Sequence, residues 1–300
     1  MIATLLTLPG PLRYAFMQNA YAVGAIVAVV AAVVGFFVVL RQLSFAGHAL
    51  AHVGFSGAAG AVWLGIDPLI GLVAFTLTAG FVMGALGERA RNRDVAIGVV
   101  LAFSVGLGVL FLKLYTKRYA SEVFSILFGT ILGVSHHDVA VTLLLGLIAL
   151  TALAVLYRPL LFASIDPEVA AARGVPVRGL SVAFLLVLAL AVAQAVQVVG
   201  VLLIFVLLVA PPAAAQYVVR RPRTAILVAV VFGVGSTWAG ITLAYYFQRA
   251  PVSFFIASLS CGLYLLARLA APFVPQHRAF GDRLGIETAE ARLPVTEIRG

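Results

Sequence analysis

Two histidines four residues apart, His48 and His52, stand in the segment Gly47-His48-Ala49-Leu50-Ala51-His52, at the head of an apolar run. On a helix, the i, i+4 spacing places both imidazoles on one face, one turn apart. That is how a single helix offers two nitrogen ligands to one metal ion. An ionisable side chain inside a membrane span is costly and faces a bundle interior or a wet cavity. Two readings stay open from the spacing: a ligand pair, or a pair hydrogen-bonded to neighbouring helices. The small residues that follow, Gly54, Ser56, Gly57 and Gly60, favour the first, because they permit the close helix contact from which a central pathway is walled. The other candidates are weaker. His136-His137-Asp138 are consecutive, and adjacent residues on a helix point about 100 degrees apart, which makes poor chelators. They suit a solvated helix start better than a metal-collecting site. Glu122 suits a membrane interface, and Asp67-Pro68 a turn. The only cysteine, Cys261, lies in an apolar run, so neither a disulfide framework nor a thiolate cluster is expected.

The elements that position these side chains must be helices in lipid. Hydrophobic residues make up 63% of the 300 and charged residues 10%, far from the balance of a soluble domain. Only helices and closed barrels satisfy their backbone in a bilayer, and long unbroken apolar runs select helices. The expected fold is therefore all-α, a polytopic transmembrane bundle of about nine spans, with eight to ten compatible. The spans are about 21–40, 49–66, 69–86, 95–112, 139–157, two within 180–219, 225–247 and 252–271. The long run 180–219 is twice a membrane thickness and is split near Gln194, Gln197 and Gly200, with a tight turn expected there. The stretch 119–135 is expected to be re-entrant or interfacial. Residues 1–275 form one membrane domain, with the first segment uncleaved, and 276–300 a polar tail.

The net charge of +9 is laid out as short basic clusters between apolar runs, the pattern of orientation signals and not of a nucleic-acid surface. Placing Arg41, Arg89 to Arg93, Arg158 to Arg178 and Arg220 to Arg223 in the cytoplasm leaves the N-terminus outside and the tail inside. Lys113, Lys117 and Arg118 then fall outside, against the trend.

The connection after the fifth span contains Ile165-Asp166-Pro167-Glu168-Val169-Ala170-Ala171-Ala172-Arg173-Gly174-Val175-Pro176, a short helix with its caps. Asp166 can accept from the free N–H groups of the first turn, and Pro167 suits the first helical position. Glu168 complements the helix dipole, Gly174 supplies a left-handed stop, and Pro176 prevents continuation. Any cytoplasmic loop can contain such a turn. Its place midway between two groups of spans, on the basic side, suits a coupling helix, a rigid lever seated in a separate ATPase.

Four motifs in order then carry a resemblance. Leu40-Arg41-Gln42-Leu43-Ser44-Phe45-Ala46-Gly47-His48-Ala49-Leu50-Ala51-His52 resembles the motif that opens the second span in the zinc/manganese permease family of ATP-binding-cassette importers. Phe128-Gly129 occupies the place of that family's Phe-Gly loop, and 165–177 looks like its coupling segment. Val199-Gly200-Val201-Leu202-Leu203 leading to Ala210-Pro211-Pro212-Ala213-Ala214 is similar to its Gly-x-Leu-Leu…Pro-Ala-Ala run. The resemblance, over about residues 20–270, implies a type II importer permease and not an enzyme, in the bacterial inner membrane. It implies that His48 and His52 contact a divalent transition metal in transit, with no permanently bound cofactor, and that the segment holding Asp166, Glu168 and Gly174 docks an ATPase. It also implies an extracytoplasmic metal-binding protein and a homodimer, or a heterodimer with a related permease.

One position departs from the family. It usually carries an acidic residue where this chain has His48, which moves the expected preference from manganese toward zinc, with manganese and iron still compatible. Protonated histidine cannot coordinate, so uptake is expected to fall on acidification. The chain has no Gly-x-x-x-x-Gly-Lys-Ser/Thr phosphate loop, so ATP would be used by a partner subunit. An ion-coupled secondary transporter would need no capped cytoplasmic helix, and a non-transporting scaffold no histidine pair. A metallohydrolase lacks its His-Glu-x-x-His motif.

Overall fold

The computed structural model describes residues 13–86, 90–114, 129–247 and 249–271, and of 90–93 the backbone alone. Within them the chain forms nine α-helices: α1 Ala15–Leu40, α2 Ser44–Leu64, α3 Pro68–Leu86, α4 Ala90–Leu114, α5 His136–Ile165, α6 Pro167–Ala172, α7 Val177–Val218, α8 Pro222–Tyr246 and α9 Val252–Ala270. Glu122, Phe128, most of the expected re-entrant stretch and the tail 276–300 lie outside the described residues.

Seven of these helices are long and apolar enough to cross a membrane, against the nine spans expected. The difference has two physical sources. Helix α2 is 21 residues long, enough to span, but its two histidines and repeated glycines dilute its apolar character. Helix α7 counts once although it runs for 42 residues.

The contacts of α7 show that it folds back on itself. In its first half, Phe184 lies 6.2 Å from Phe37 between ring centroids, and Ser181 Oγ accepts from Arg41 at 2.7 Å. In its second half, Gln216 Nε2 donates to Phe36 O at 3.2 Å, and the Leu208 carbonyl and Pro212 press on Gly35. Both halves therefore touch residues 35–41 of α1. In a straight helix, Phe184 and Pro212 would stand about 42 Å apart. The reversal occurs at Gly200, the one residue inside α7 with non-helical geometry (φ 80, ψ 165). That region of backbone space is open essentially to glycine alone. The expected tight turn is thus a single residue.

Helix α7 is the centre of the bundle. It packs against α1, α2, α3, α5, α8 and α9, and α2 is further enclosed by α3 and α4. Side-chain bonds clamp both ends of the bundle. At the end carrying α6, Arg41 reaches Ser164 of α5 as well as Ser181, and its guanidinium lies 5.6 Å from the Phe184 ring centroid. At the opposite end, Tyr21 and Thr242 share a 2.6 Å bond, Trp238 Nε1 donates to Tyr21 O, and Asn19 Nδ2 donates to Val134 O at 3.2 Å. Here the segment before α5 also seats on the α7 reversal. Gly129 lies directly against Val199 and Gly200, and the Thr130 N–H donates to Val198 O at 3.1 Å. A carbonyl next to a helix break needs a donor from elsewhere, and this loop supplies it.

Candidate functional site

His48 and His52 occupy the first two turns of α2, and the structure places their rings 4.7 Å apart between centroids, edge to face. Both side chains are half-buried. Among the described residues, neither ring makes a hydrogen bond or an ion pair. No described residue of a neighbouring helix therefore holds the ring nitrogens by a hydrogen bond, the competing reading of the pair. Two neutral imidazoles in this arrangement provide two nitrogen donors, and a tetrahedral ion requires four. Among the described residues, no group of three or more His, Cys, Asp or Glu side chains comes together to hold a metal.

The far side of the pair is made by the second half of α7. Phe205 sets its ring 5.1 Å from that of His48, edge to face. One turn on, Leu208 fills the space left by Gly47, where a Cβ would fall 2.5 Å from the Leu208 side chain. The same turn of α7 presses its backbone on Gly35 of α1. Small residues at 35 and 47 thus let α7 lie against both α1 and α2, directly beside the histidines. Phe205 and Leu208 were not singled out from the sequence. The small residues read as close-contact positions were Gly54, Ser56, Gly57 and Gly60, and nothing local to Gly47 names its partner.

The other candidates lie elsewhere. His136 and His137 are exposed at the start of α5. There Ser135 and Asp138 form a capping box, with the Asp138 N–H donating to Ser135 Oγ at 3.2 Å and the Ser135 N–H to Asp138 Oδ2 at 3.0 Å. His137 Nδ1 stands 4.0 Å from Asp138 Oδ1, and the histidine side chain is 84% exposed. This is a solvated helix start. It adjoins Val134 and hence Asn19, roughly 24 Å along α1 from Gly35, so it is not part of the α2 site. Glu122 is outside the described residues.

Helix α6 has the caps its sequence spells. Asp166 Oδ1 accepts from the Glu168 N–H at 3.1 Å and the Val169 N–H at 2.9 Å, with Pro167 at the first position. At the other end, the Val175 N–H donates to Ala170 O and the Gly174 N–H to Ala171 O, the paired bonds of a Schellman stop, with Gly174 at φ 82. Ala170 is fully buried and pins the helix to the bundle, while Glu168 and Gly174 are exposed. A six-residue helix would not persist by itself in water. Caps at both ends and one buried anchor make it a rigid projection between α5 and α7.

A family model described as the ABC 3 transport family matches residues 13–271. The manganese transport system membrane protein MntC of Listeria innocua is 29% identical over 269 residues, covering 89% of this chain and 95% of that one. The manganese import system permease protein ScaB of Streptococcus gordonii is 31% identical over 258 residues, covering 86% and 92%. Among solved structures, a chain of PsaBC from Streptococcus pneumoniae in complex with Fab superposes with a TM-score of 0.76 at 29% identity, covering 89% of this chain and 95% of that one.

Proposed function

The chain belongs to the ABC 3 transport family, as a permease-type integral protein of the bacterial inner membrane, and from this premise we propose that it conducts a divalent transition metal into the cell. The observation that carries the proposal is the pairing of His48 and His52, 4.7 Å apart, half-buried and uncommitted to other described residues. Two copies facing each other bring four imidazoles together, enough for a tetrahedral ion, whereas one copy holds half a shell. The pathway therefore lies between two permeases, this chain with itself or with a close relative.

The bundle crosses the membrane nine times. This count takes the seven helices of sufficient length and apolarity, counts the folded-back α7 twice, and adds α2. The N-terminus then lies outside, and α6 and the arginine clusters lie in the cytoplasm, as basic residues near span ends require. A separate ATPase docks on α6, and a metal-binding protein delivers the ion from outside. Displacement of α6 passes into the first half of α7, to which Arg41 is tied, and through Gly200 into the half that carries Phe205 and Leu208. Movement there opens or closes the space around the histidines. The ion is held weakly, since a transport site must release what it binds.

The relatives' names give manganese. In this chain the pair is two nitrogen ligands with no carboxylate grouped with them among the described residues, and such a set ranks zinc above manganese. The test is uptake of a panel of divalent ions in the host strain at matched expression. His52→Ala should lower uptake of one metal selectively by at least about 10-fold, since losing even a group that only orients a metal ligand costs about 10–100-fold. Unchanged uptake of every ion would remove the histidine site.

A further inference from the structure

On the face of the bundle that carries α6, a cleft of about 640 Å³ opens between the last turns of α5 and the start of α8. Both helices pack on α1, but they barely meet each other, which is why the cleft exists. Its rim carries Arg158, Arg221 and Arg223. Among the described residues, none of the three has an ion pair or hydrogen bond, in contrast to Arg41, Arg178 and Arg220 nearby. Its floor is apolar and aromatic, with Tyr157, Leu161 and Phe162.

Two further features point to an anion. The N-terminus of the 25-residue α8 opens at the cleft, its cap residue Arg221 makes no side-chain cap bond, and Pro222 and Arg223 of its first turn line the wall. Uncapped N–H groups and the positive end of the helix dipole both favour a negative group there. Beyond the rim, Val155 on α5 and Leu227 and Val231 on α8 are exposed and apolar, on helices long and apolar enough to cross a membrane. A basic rim over an apolar floor, continued by exposed apolar side chains on both helices, matches a headgroup attached to an acyl chain. A soluble anion would use the rim and leave the apolar faces uncovered.

We propose that the α5–α8 cleft is a binding site for one anionic phospholipid, its phosphate held by Arg158, Arg221 and Arg223 and its chains lying along the outer faces of α5 and α8. The lipid bridges two helices that do not otherwise pack, one of which leads directly into α6. It therefore fixes the base from which α6 projects. The site is separate from the histidine pair and does not depend on which ion is transported.

The experiment is native mass spectrometry of the full-length protein extracted from nanodiscs of mixed phosphatidylglycerol and phosphatidylcholine. The wild type should retain one phosphatidylglycerol per copy after delipidation, and excess inorganic phosphate should not displace it. Each arginine near a membrane surface adds roughly a fivefold preference for anionic lipid, so Arg158→Gln, Arg221→Gln and Arg223→Gln together should lower retention on the order of a hundredfold. The three corresponding Lys replacements keep the charge and should keep most of the lipid, which separates charge from misfolding. Replacing Arg13 and Arg249, at the opposite end of the bundle, should change nothing. The proposal is overturned by equal retention of both lipids, by equal retention in the Gln variant, or by displacement with free phosphate. It is also overturned if the Gln variant keeps its lipid and loses only a co-purifying ATPase, which would make the cleft a protein contact.

Discussion

At the scale of single residues, the proposed chemistry rests on His48 and what faces it. Its ring meets His52 on one side and Phe205 on the other, so in the proposed site one ring is both a donor and part of the wall. Replacing it with a carboxylate exchanges a borderline ligand for a hard one. His48→Asp should therefore shift the ratio of manganese to zinc uptake toward manganese, checked by competition between the two ions in cells. The glycines around the site differ in what they tolerate. A methyl on Gly35 meets the carbonyl of Leu208, which is backbone and cannot move aside, whereas a methyl on Gly47 meets the end of the flexible Leu208 side chain. Gly35→Ala should lower stability by about 1–3 kcal/mol, the range for overpacking, and Gly47→Ala by less. Thermal unfolding of the purified variants checks the order. The pairing of His48 and His52 was legible because a four-residue spacing fixes a shared face within one helix. Phe205 was not, since its place beside His48 depends on a reversal in α7 that brings together residues more than 150 positions apart.

At the scale of elements, α6 and α7 carry opposite lessons. The caps of α6 are local, so Asp166, Pro167 and Gly174 announced them in sequence and occupy those roles in the structure. Asp166→Ala should remove about 0.5–2 kcal/mol of local helix stability, and Asp166→Asn much less. The readout is ATP hydrolysis in the complex with the ATPase, where Asp166→Ala should uncouple hydrolysis from transport and Asp166→Asn should not. The reversal of α7 hangs on Gly200, whose geometry other residues reach only at about 1–3 kcal/mol. Gly200→Val should therefore destabilise the hairpin and loosen the loop at Gly129 and Thr130 that rests on it. Faster hydrogen exchange confined to residues 129–134 and 196–204 would show this. An apolar run of 40 residues indicates two spans by length alone. That both halves lie against the same turn of α1 is visible only from the contacts.

At the scale of the whole molecule, the composition already required a helical bundle in lipid, and the bundle supplies only part of a machine. The chain has no phosphate loop to use ATP. In the proposed site one copy supplies two imidazoles, short of the four donors of a tetrahedral shell. The projecting α6, rigid and anchored at Ala170, has no counterpart within the described residues. These incomplete features fit one assembly, in which two permeases share an ion and each presents a lever to an ATPase. An ion-coupled carrier would instead be complete in the membrane by itself.

The most direct measurement is metal accumulation in proteoliposomes containing this permease with its ATPase, with ATP and ion gradients supplied separately. Accumulation should require ATP and the ATPase and should disappear when both His48 and His52 are replaced by Ala. Accumulation driven by a proton or sodium gradient without the ATPase, or undiminished in the double variant, would exclude an ATP-driven permease with a histidine site.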